Sequence, residues 1–495
     1  MESRFHSLLL PPLLIFLYLY PVCGSGAGVI KVNYKFAGSD ASLSALRAHD
    51  DIRHLSILAG VDLPLGGTGR PDASGLYYAK IGIGTPSIDY YVQVDTGTDI
   101  TWVNCIQCHQ CPWRGYHGIE LPLYNPKDSL TGKLVSCEQD FCKEVGGGLS
   151  GCNANSSCLY TEVYGDGSYT IGYFVEDVVQ CGAQQSGDLG PSDDAVNGIL
   201  GFGKSNSSML SQLALSGRVK KMFAHCLDGV NGGGIFAIGH VVQPLVNTTP
   251  LVSNQPHYNV NMTGIQVGHD FLNLTSDIYM ADKRGAIIDS GTTLAYLPQM
   301  IYEPLVKKIL SWQMDLKLQL LHDQYTCFDF AGRVAVMLLY NCIFTFCSVD
   351  DGFPIVTLHF QNSLSLRVYP HEYLFSFVCK CKLKSAFLPS PCLVISGQED
   401  LMCIGWQNSG LESQDKKNIT ILGDLVLANK LVLYDLEKHA IGWTEYNCSS
   451  SIQIKDEITG SVHLVGAHTL SCGWEFTPPV VFILLMMAVL HCFIQ

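Results

Sequence analysis

Val94-Asp95-Thr96-Gly97-Thr98 and Ile288-Asp289-Ser290-Gly291-Thr292 stand one in each half of the 495-residue chain. In both, a β-branched apolar run carries an Asp to a hydroxyl residue, a Gly and a second hydroxyl residue. A strand can thereby deliver the carboxylate to a tight loop. One such loop is ordinary turn chemistry. Both, however, are echoed downstream by Ile-Leu-Gly, at Ile199-Leu200-Gly201 and Ile421-Leu422-Gly423. Two motifs repeated in the same order imply a duplicated half-site, with the two carboxylates meeting at a two-fold axis.

The neighbours suit that meeting. Gly97 and Gly291 let backbone amides approach the carboxylates because no Cβ intrudes. The hydroxyls of Thr98 and Thr292 can bond the outer oxygens and fix their orientation, while Thr96 and Ser290 complete the two loops. Between the loops, Tyr160 to Val175 reads as a hairpin around Tyr164-Gly165-Asp166-Gly167-Ser168. Arching over the pair, it can close on a substrate and exclude water. Tyr164 then sits at its edge, where Trp102 can donate to the phenol oxygen.

Runs of β-branched and aromatic residues separated by Gly, Pro and Asn predict strands at Tyr77 to Ile83, Tyr90 to Val94, Leu159 to Tyr164, Tyr258 to Val267 and Leu431 to Tyr434. Helices are expected at Ser208 to Leu215 and at Ile301 to Gln313 after Pro298. The fold class is mainly β, in two lobes, each large enough to bury a core. A content of 47% hydrophobic residues with 48 glycines fits a glycine-punctuated β protein, and a net charge of -14 argues against nucleic acid as a partner.

The ends point to export. Leu8 to Tyr20 is an apolar core followed by small residues, so residues 1–24 read as a signal peptide. Residues 25–72 are polar, with a helix-compatible stretch at Leu43 to Ile57 and a flexible boundary at Gly66-Gly67-Thr68-Gly69, and read as a removable pro-segment. The lobes are placed at 73–245 and 246–465. In the tail, 466–495, the apolar run Val480 to Leu490 is too short to span a bilayer comfortably and reads as a GPI-attachment signal tethering the protein to the plasma membrane. Asn-x-Ser/Thr acceptors at Asn155, Asn206, Asn247, Asn261, Asn273, Asn418 and Asn447 fit a lumenal chain and an extracellular or cell-surface location.

Of 20 cysteines, twelve lie outside the two ends and two odd segments: Cys105, Cys108, Cys111, Cys137, Cys142, Cys152, Cys158, Cys181, Cys226, Cys327, Cys403 and Cys448. In an exported chain these read as disulfides. Cys105-x-x-Cys108-x-x-Cys111 lacks the fourth ligand of a metal knuckle, so no metal and no cofactor is expected.

On the paired Asp loops, the Tyr164 hairpin and Trp102, the chain resembles the pepsin-like aspartic endopeptidases, in particular the plant nepenthesin-like and GPI-anchored type, over about Gly75 to Cys448. The resemblance implies a bilobal fold with a cleft for an extended polypeptide, a monomer, activity in acid and inhibition by pepstatin. It makes Asp95 and Asp289 the catalytic pair, Tyr164 the flap tyrosine and Trp102 its partner, with Cys327 paired to Cys403 and Cys226 to Cys448. Carboxylates about 3 Å apart share one proton and titrate together, a known property of such dyads that is carried over here.

Three departures accompany it. Val178-Val179-Gln180 runs straight into Cys181 where relatives carry about twenty more residues, and the loss of a strand there predicts unpaired ladder groups costing about 1 to 3 kcal/mol each if buried. Segments 333–348 and 378–401 are extra and hold five further cysteines, and all three departures read as unspliced or wrongly assembled sequence rather than tolerated loop changes. The competing function is a catalytically impaired or non-catalytic binding or inhibitor protein on the same fold. The lack of a Gly-x-Ser-x-Gly elbow leaves a serine hydrolase a poor third reading, and no His-Glu-x-x-His zinc motif is found.

Overall fold

The computed structural model describes residues 61–71, 75–146, 152–153, 155–165, 167–177, 179–185, 196–217, 219–274, 285–313, 316–321, 325–329, 333–339, 342–376, 401–411, 419–455 and 460–466. The strands at 179–185, 333–339 and 342–348 are described by their backbone alone. The predicted signal, most of the pro-segment, the 378–401 insertion up to residue 400 and nearly all of the tail lie outside the described residues.

Alternation in the sequence becomes pleat in the structure. Leu76–Ile83 and Ile88–Asp95 pair antiparallel from Tyr78↔Gln93 to Ile83↔Ile88, and the second strand buries Tyr90, Val92 and Val94 at every other position. They belong to a 14-stranded sheet. In spatial order it runs Thr248–Pro250, Ala440–Glu445, Lys430–Asp435, Met222–Leu227, Gly234–Ile238, Val61–Thr68, Leu76–Ile83, Ile88–Asp95, Gly198–Gly201, Trp102–His109, Val179–Gln185, Tyr169–Glu176 and Lys133–Leu134, with Leu159–Val163 also on Tyr169–Glu176. Because Met222–Leu227 pairs with Lys430–Asp435, the two halves of the chain are sewn together inside this sheet, across the lobe division expected at 245.

The duplicated motifs have one topology. Ile88–Asp95 runs parallel to Gly198–Gly201, with Asp95 opposite Gly201, and Gly198–Gly201 also pairs antiparallel with Trp102–His109. In the second lobe Ala286–Ile288 runs parallel to Thr420–Leu422, which pairs antiparallel with Ala295–Leu297. Each Ile-Leu-Gly strand thus lies between the strand entering its Asp loop and the strand leaving it. Glycine ends each because the Asp loop crosses directly above. A Cβ on Gly201 would lie 2.5 Å from the Ile100 oxygen, and one on Gly423 would run into the carbonyls of Thr292 and Leu294.

The two expected helices are Met209–Leu215 and Gln299–Leu310. Ser208 caps the first by accepting from the Ser211 amide, and Pro298 stands at the N-cap of the second. The second buries Ile301, Leu305, Val306 and Ile309, one face at helical spacing.

Several expectations change. Val61–Thr68, assigned to the removable pro-segment, is an interior strand: it pairs Val61↔Ile238 to Leu65↔Gly234 on one side and Gly66↔Tyr78 to Thr68↔Leu76 on the other. Leu65 is fully buried there. The glycines that read as a flexible boundary finish this strand, with Gly67 at φ 79°. The gap expected after the Tyr164 hairpin is filled too. Val179–Gln185 pairs antiparallel with Tyr169–Glu176 and parallel with Trp102–His109, so the ladder continues from residues that looked like a connection. Tyr258 to Val267 is two strands, Asn259–Val260 and Met262–Val267. Segment 333–348 forms a hairpin in seven-pair register, a two-stranded sheet by itself among the described residues.

Candidate active site

Asp95 ends its strand, and the loop after it turns back on the carboxylate. The Gly97 amide donates to Asp95 Oδ1 at 2.7 Å and the Thr98 hydroxyl to Oδ2 at 3.0 Å. The second loop repeats this pattern, with the Gly291 amide on Asp289 Oδ1 at 2.9 Å and the Thr292 hydroxyl on Oδ2 at 2.6 Å. The loops face each other so closely that a Cβ on Gly97 would sit 2.6 Å from Asp289 Oδ1, while one on Gly291 would enter the Asp95 carboxyl. Each glycine therefore makes room for the opposite acid.

Behind the carboxyls, the second residues of the loops lock the halves together. Thr96 Oγ1 accepts from the Ser290 amide at 2.9 Å and donates to the Ile288 carbonyl at 3.4 Å, and the Ser290 hydroxyl donates to the Val94 carbonyl at 3.0 Å. Two further ties between the halves had no signature in the sequence. Gln93 Nε2 donates to the Gly291 carbonyl at 3.2 Å, and the Thr293 hydroxyl donates to the Gly75 carbonyl.

Burial decides the electrostatics. Asp95 is 4% exposed, and that burial, with the Asp289 charge second, pushes its carboxyl up to about 8 against the opposing hydrogen bonds from Thr98 and Gly97. A third acid escaped the sequence reading. Asp424, directly after Ile421-Leu422-Gly423, is buried with neither carboxyl oxygen partnered. Burial, then the charges of Asp289 and Asp95, hold it well above the usual carboxylate range. The available signal was an asymmetry in the echo, since Phe202 follows the first Ile-Leu-Gly and Asp424 the second.

The expected hairpin is present. Leu159–Val163 pairs with Tyr169–Glu176 from Leu159↔Tyr173 to Val163↔Tyr169. Its turn closes with the Tyr164 amide donating to the Ser168 carbonyl at 2.9 Å and the Gly167 amide donating to the Tyr164 carbonyl at 3.0 Å. Trp102 Nε1 donates to Tyr164 Oη at 2.7 Å from a buried position. Gly165 is exposed at the tip, and Asp166 lies outside the described residues.

Disulfides join Cys108 to Cys111, Cys137 to Cys152, Cys142 to Cys158, Cys226 to Cys448 and Cys327 to Cys403. Cys105 is also disulfide-bonded, and the Cys181 side chain is outside the described set. Of the acceptor asparagines, Asn155, Asn206, Asn247, Asn273 and Asn447 are exposed and Asn261 is half-buried, while Asn418 lies outside the described residues.

The sequence families described as xylanase inhibitor N-terminal and xylanase inhibitor C-terminal match residues 77–240 and 257–382. Aspartic proteinase 36 of Arabidopsis thaliana is 45% identical over 467 residues, 90% of this chain and 89% of that protein. Aspartic proteinase nepenthesin-2 of Nepenthes gracilis is 26% identical over 402 residues, 76% of this chain and 79% of that one. Among solved structures, basic 7S globulin from soybean aligns with a TM-score of 0.53 at 18% identity, over 78% of this chain and 96% of that one. This likeness concerns the fold alone.

Proposed function

This chain belongs to the plant pepsin-like aspartic proteases, and we propose that it is an active endopeptidase that hydrolyses polypeptides in acid with the Asp95–Asp289 pair. The observation that carries this reading is the matched hydrogen bonding of the two carboxyls, each fixed by its own Gly amide and Thr hydroxyl and each accommodated by the other loop's glycine. A protein that only binds a partner has no need of that symmetry. One proton shared by the pair leaves one carboxyl to take a proton from a water between them and the other to hydrogen-bond the scissile carbonyl as it becomes an oxyanion. The proton then passes to the leaving amine, and no covalent intermediate forms. Tyr164, held by Trp102, covers the site from the flap and limits entry of bulk water.

The binder or inhibitor reading draws on the descriptions of the two matching sequence families. It predicts a folded protein that leaves peptide bonds intact. The test is to incubate the purified chain with denatured protein at about pH 3 to 5, where such a dyad keeps one proton, with and without pepstatin, beside Asp289→Asn. Cleavage lost in both arms supports the peptidase. Equal inertness of folded wild type and variant supports the binder.

The same reading puts the protein in the secretory pathway and at the cell surface. It is supported by the disulfides and by the exposed acceptor asparagines. For the GPI tether, release of the expressed protein from membranes by phosphatidylinositol-specific phospholipase is the expected result, and retention on the membrane removes that part of the proposal.

A further inference from the structure

The flap hairpin has two unlike faces. Along Leu159–Val163 and into the turn, strand alternation puts Tyr160, Glu162 and Tyr164 on one side and Thr161 and Val163 on the other. Thr161 and Val163 are exposed, the valine at 65%. The opposite face packs down. Tyr160 is buried in one cluster with Trp102 and Phe174 and meets the Phe174 ring edge-on at 5.7 Å, and its hydroxyl is 3.2 Å from Thr170 Oγ1. Tyr164 packs against the same cluster and takes the Trp102 indole proton. Glu162 stands between these two anchored tyrosines, so its side chain is on the underside of the flap, the side that Tyr164 turns to the dyad.

Glu162 is half-buried there, yet among the described residues its carboxyl has neither a hydrogen bond nor a cation. An apolar residue would pack at this position without desolvating a carboxyl. The acid below it does not lack company: Asp99 Oδ1 takes the Ser205 amide at 2.9 Å. Burial first, and the Asp99 charge second, raise the Glu162 pKa. What this face lacks is a positive group, and the cleft beneath it is open to one from outside.

We propose that Glu162 is a specificity-determining residue, selecting a lysine or arginine side chain of the bound polypeptide that enters beside Tyr164.

This rests on the peptidase reading of the cleft. Two residues along a strand are about 7 Å, so Glu162 meets a side chain flanking the scissile bond and not the reacting atoms. An ammonium or guanidinium arriving there favours the ionised carboxyl and offsets its burial. The partly desolvated setting strengthens the attraction over its value in water, enough for about tenfold discrimination against an uncharged side chain of similar length.

The test uses the full chain and a set of labelled peptides, each carrying lysine, norleucine or glutamate at one position near the scissile bond. The ratio of kcat/KM for lysine over norleucine, read at about pH 5 where a carboxylate beside a cation is ionised, is compared between wild type and Glu162→Gln. At one position it is expected to be about tenfold in wild type and near one in the variant, and Glu162→Lys should favour glutamate at that same position. A change that affects all peptides alike, or equal ratios in wild type and Glu162→Gln at every position, overturns the proposal. Fluorescence anisotropy of the same peptides on Asp289→Asn, with and without Glu162→Gln, separates this inference from the reading beneath it. A wild type that cleaves no peptide counts against the peptidase, while a lysine preference in binding that vanishes with Glu162→Gln still supports the role of Glu162. No such preference in binding overturns it.

Discussion

Replacing His225 by Gln is expected to make the protein more resistant to acid. The ring is fully buried, and burial lowers its pKa from 6.5 to about 3. As pH falls below 6.5 the unfolded chain takes up a proton at this histidine that the folded protein refuses. The depressed pKa of a base therefore contributes stability above pH 6.5 that is lost as pH falls, at about 1.4 kcal/mol per pH unit, and the loss levels off below about 3. At pH 4 the wild type has given up roughly 3 kcal/mol on this account. Glutamine does not titrate and its amide can either donate to or accept from Tyr434, so the variant escapes the penalty. Urea unfolding of both proteins at pH 7 and pH 4 checks this, provided the difference between proteins is taken at each pH so that other titrations cancel. At pH 7 the two should lie within about 1 kcal/mol, the worth of an altered buried hydrogen bond, and at pH 4 the variant should be ahead. Parallel pH dependence would refute the reasoning, because it would mean that His225 is protonated in the folded protein. Asp95, Asp424 and Glu162 act with the opposite sign. Their folded pKa values are raised, so their contribution is present below the unfolded carboxylate pKa and is lost as pH rises, which offsets the histidine in acid.

Thr96→Val removes the acceptor of the buried Ser290 amide while keeping shape. It should cost about 1 to 3 kcal/mol in denaturant unfolding and lower kcat, and Thr96→Ser should restore most of both. Trp102→Phe deletes the 2.7 Å bond that holds Tyr164; a fall of about tenfold in kcat/KM is expected, and an unchanged value would mean that the flap needs no anchor. Removing Cys226–Cys448 by double Ala substitution frees a loop of 222 residues, worth about 5 kcal/mol of unfolded-state entropy, while removing Cys108–Cys111, a separation of 3, frees about 1.5 kcal/mol. Equal losses of guanidinium midpoint would show that loop entropy does not govern these bridges.

The dyad was legible because its parts are local: each Asp loop makes its own hydrogen bonds within three residues. Trp102 and Tyr164 were legible because hairpin chemistry and residue type narrow the choices. The Ile-Leu-Gly echo was visible, but its reason was not, since the close passage of Ile100 over Gly201 and of Thr292 over Gly423 exists only in three dimensions. Gly66-Gly67-Thr68-Gly69 was misread as a flexible boundary because glycine at a strand end looks the same as glycine in a linker, and only the pairing of Val61–Thr68 on both sides distinguishes the two. Gln93, His225 and Asp424 were missed for a common reason. Each acts on residues far away in sequence, and none carries a motif of its own.

The pairing of Met222–Leu227 with Lys430–Asp435 also sets a schedule for biosynthesis. The first half of the chain can form its own strands as it emerges, yet the neighbour of Met222–Leu227 is among the last parts made. At about 5 to 20 residues per second, roughly 10 to 45 seconds separate Cys226 from the Cys448 that will bond it. Throughout that interval an apolar strand edge and a free thiol stand open, and on the secretory route proposed for this chain they do so in a compartment that oxidises thiols. A chaperone that shields strand edges and an isomerase that undoes early disulfides are therefore the factors on which the yield of this protein should depend most.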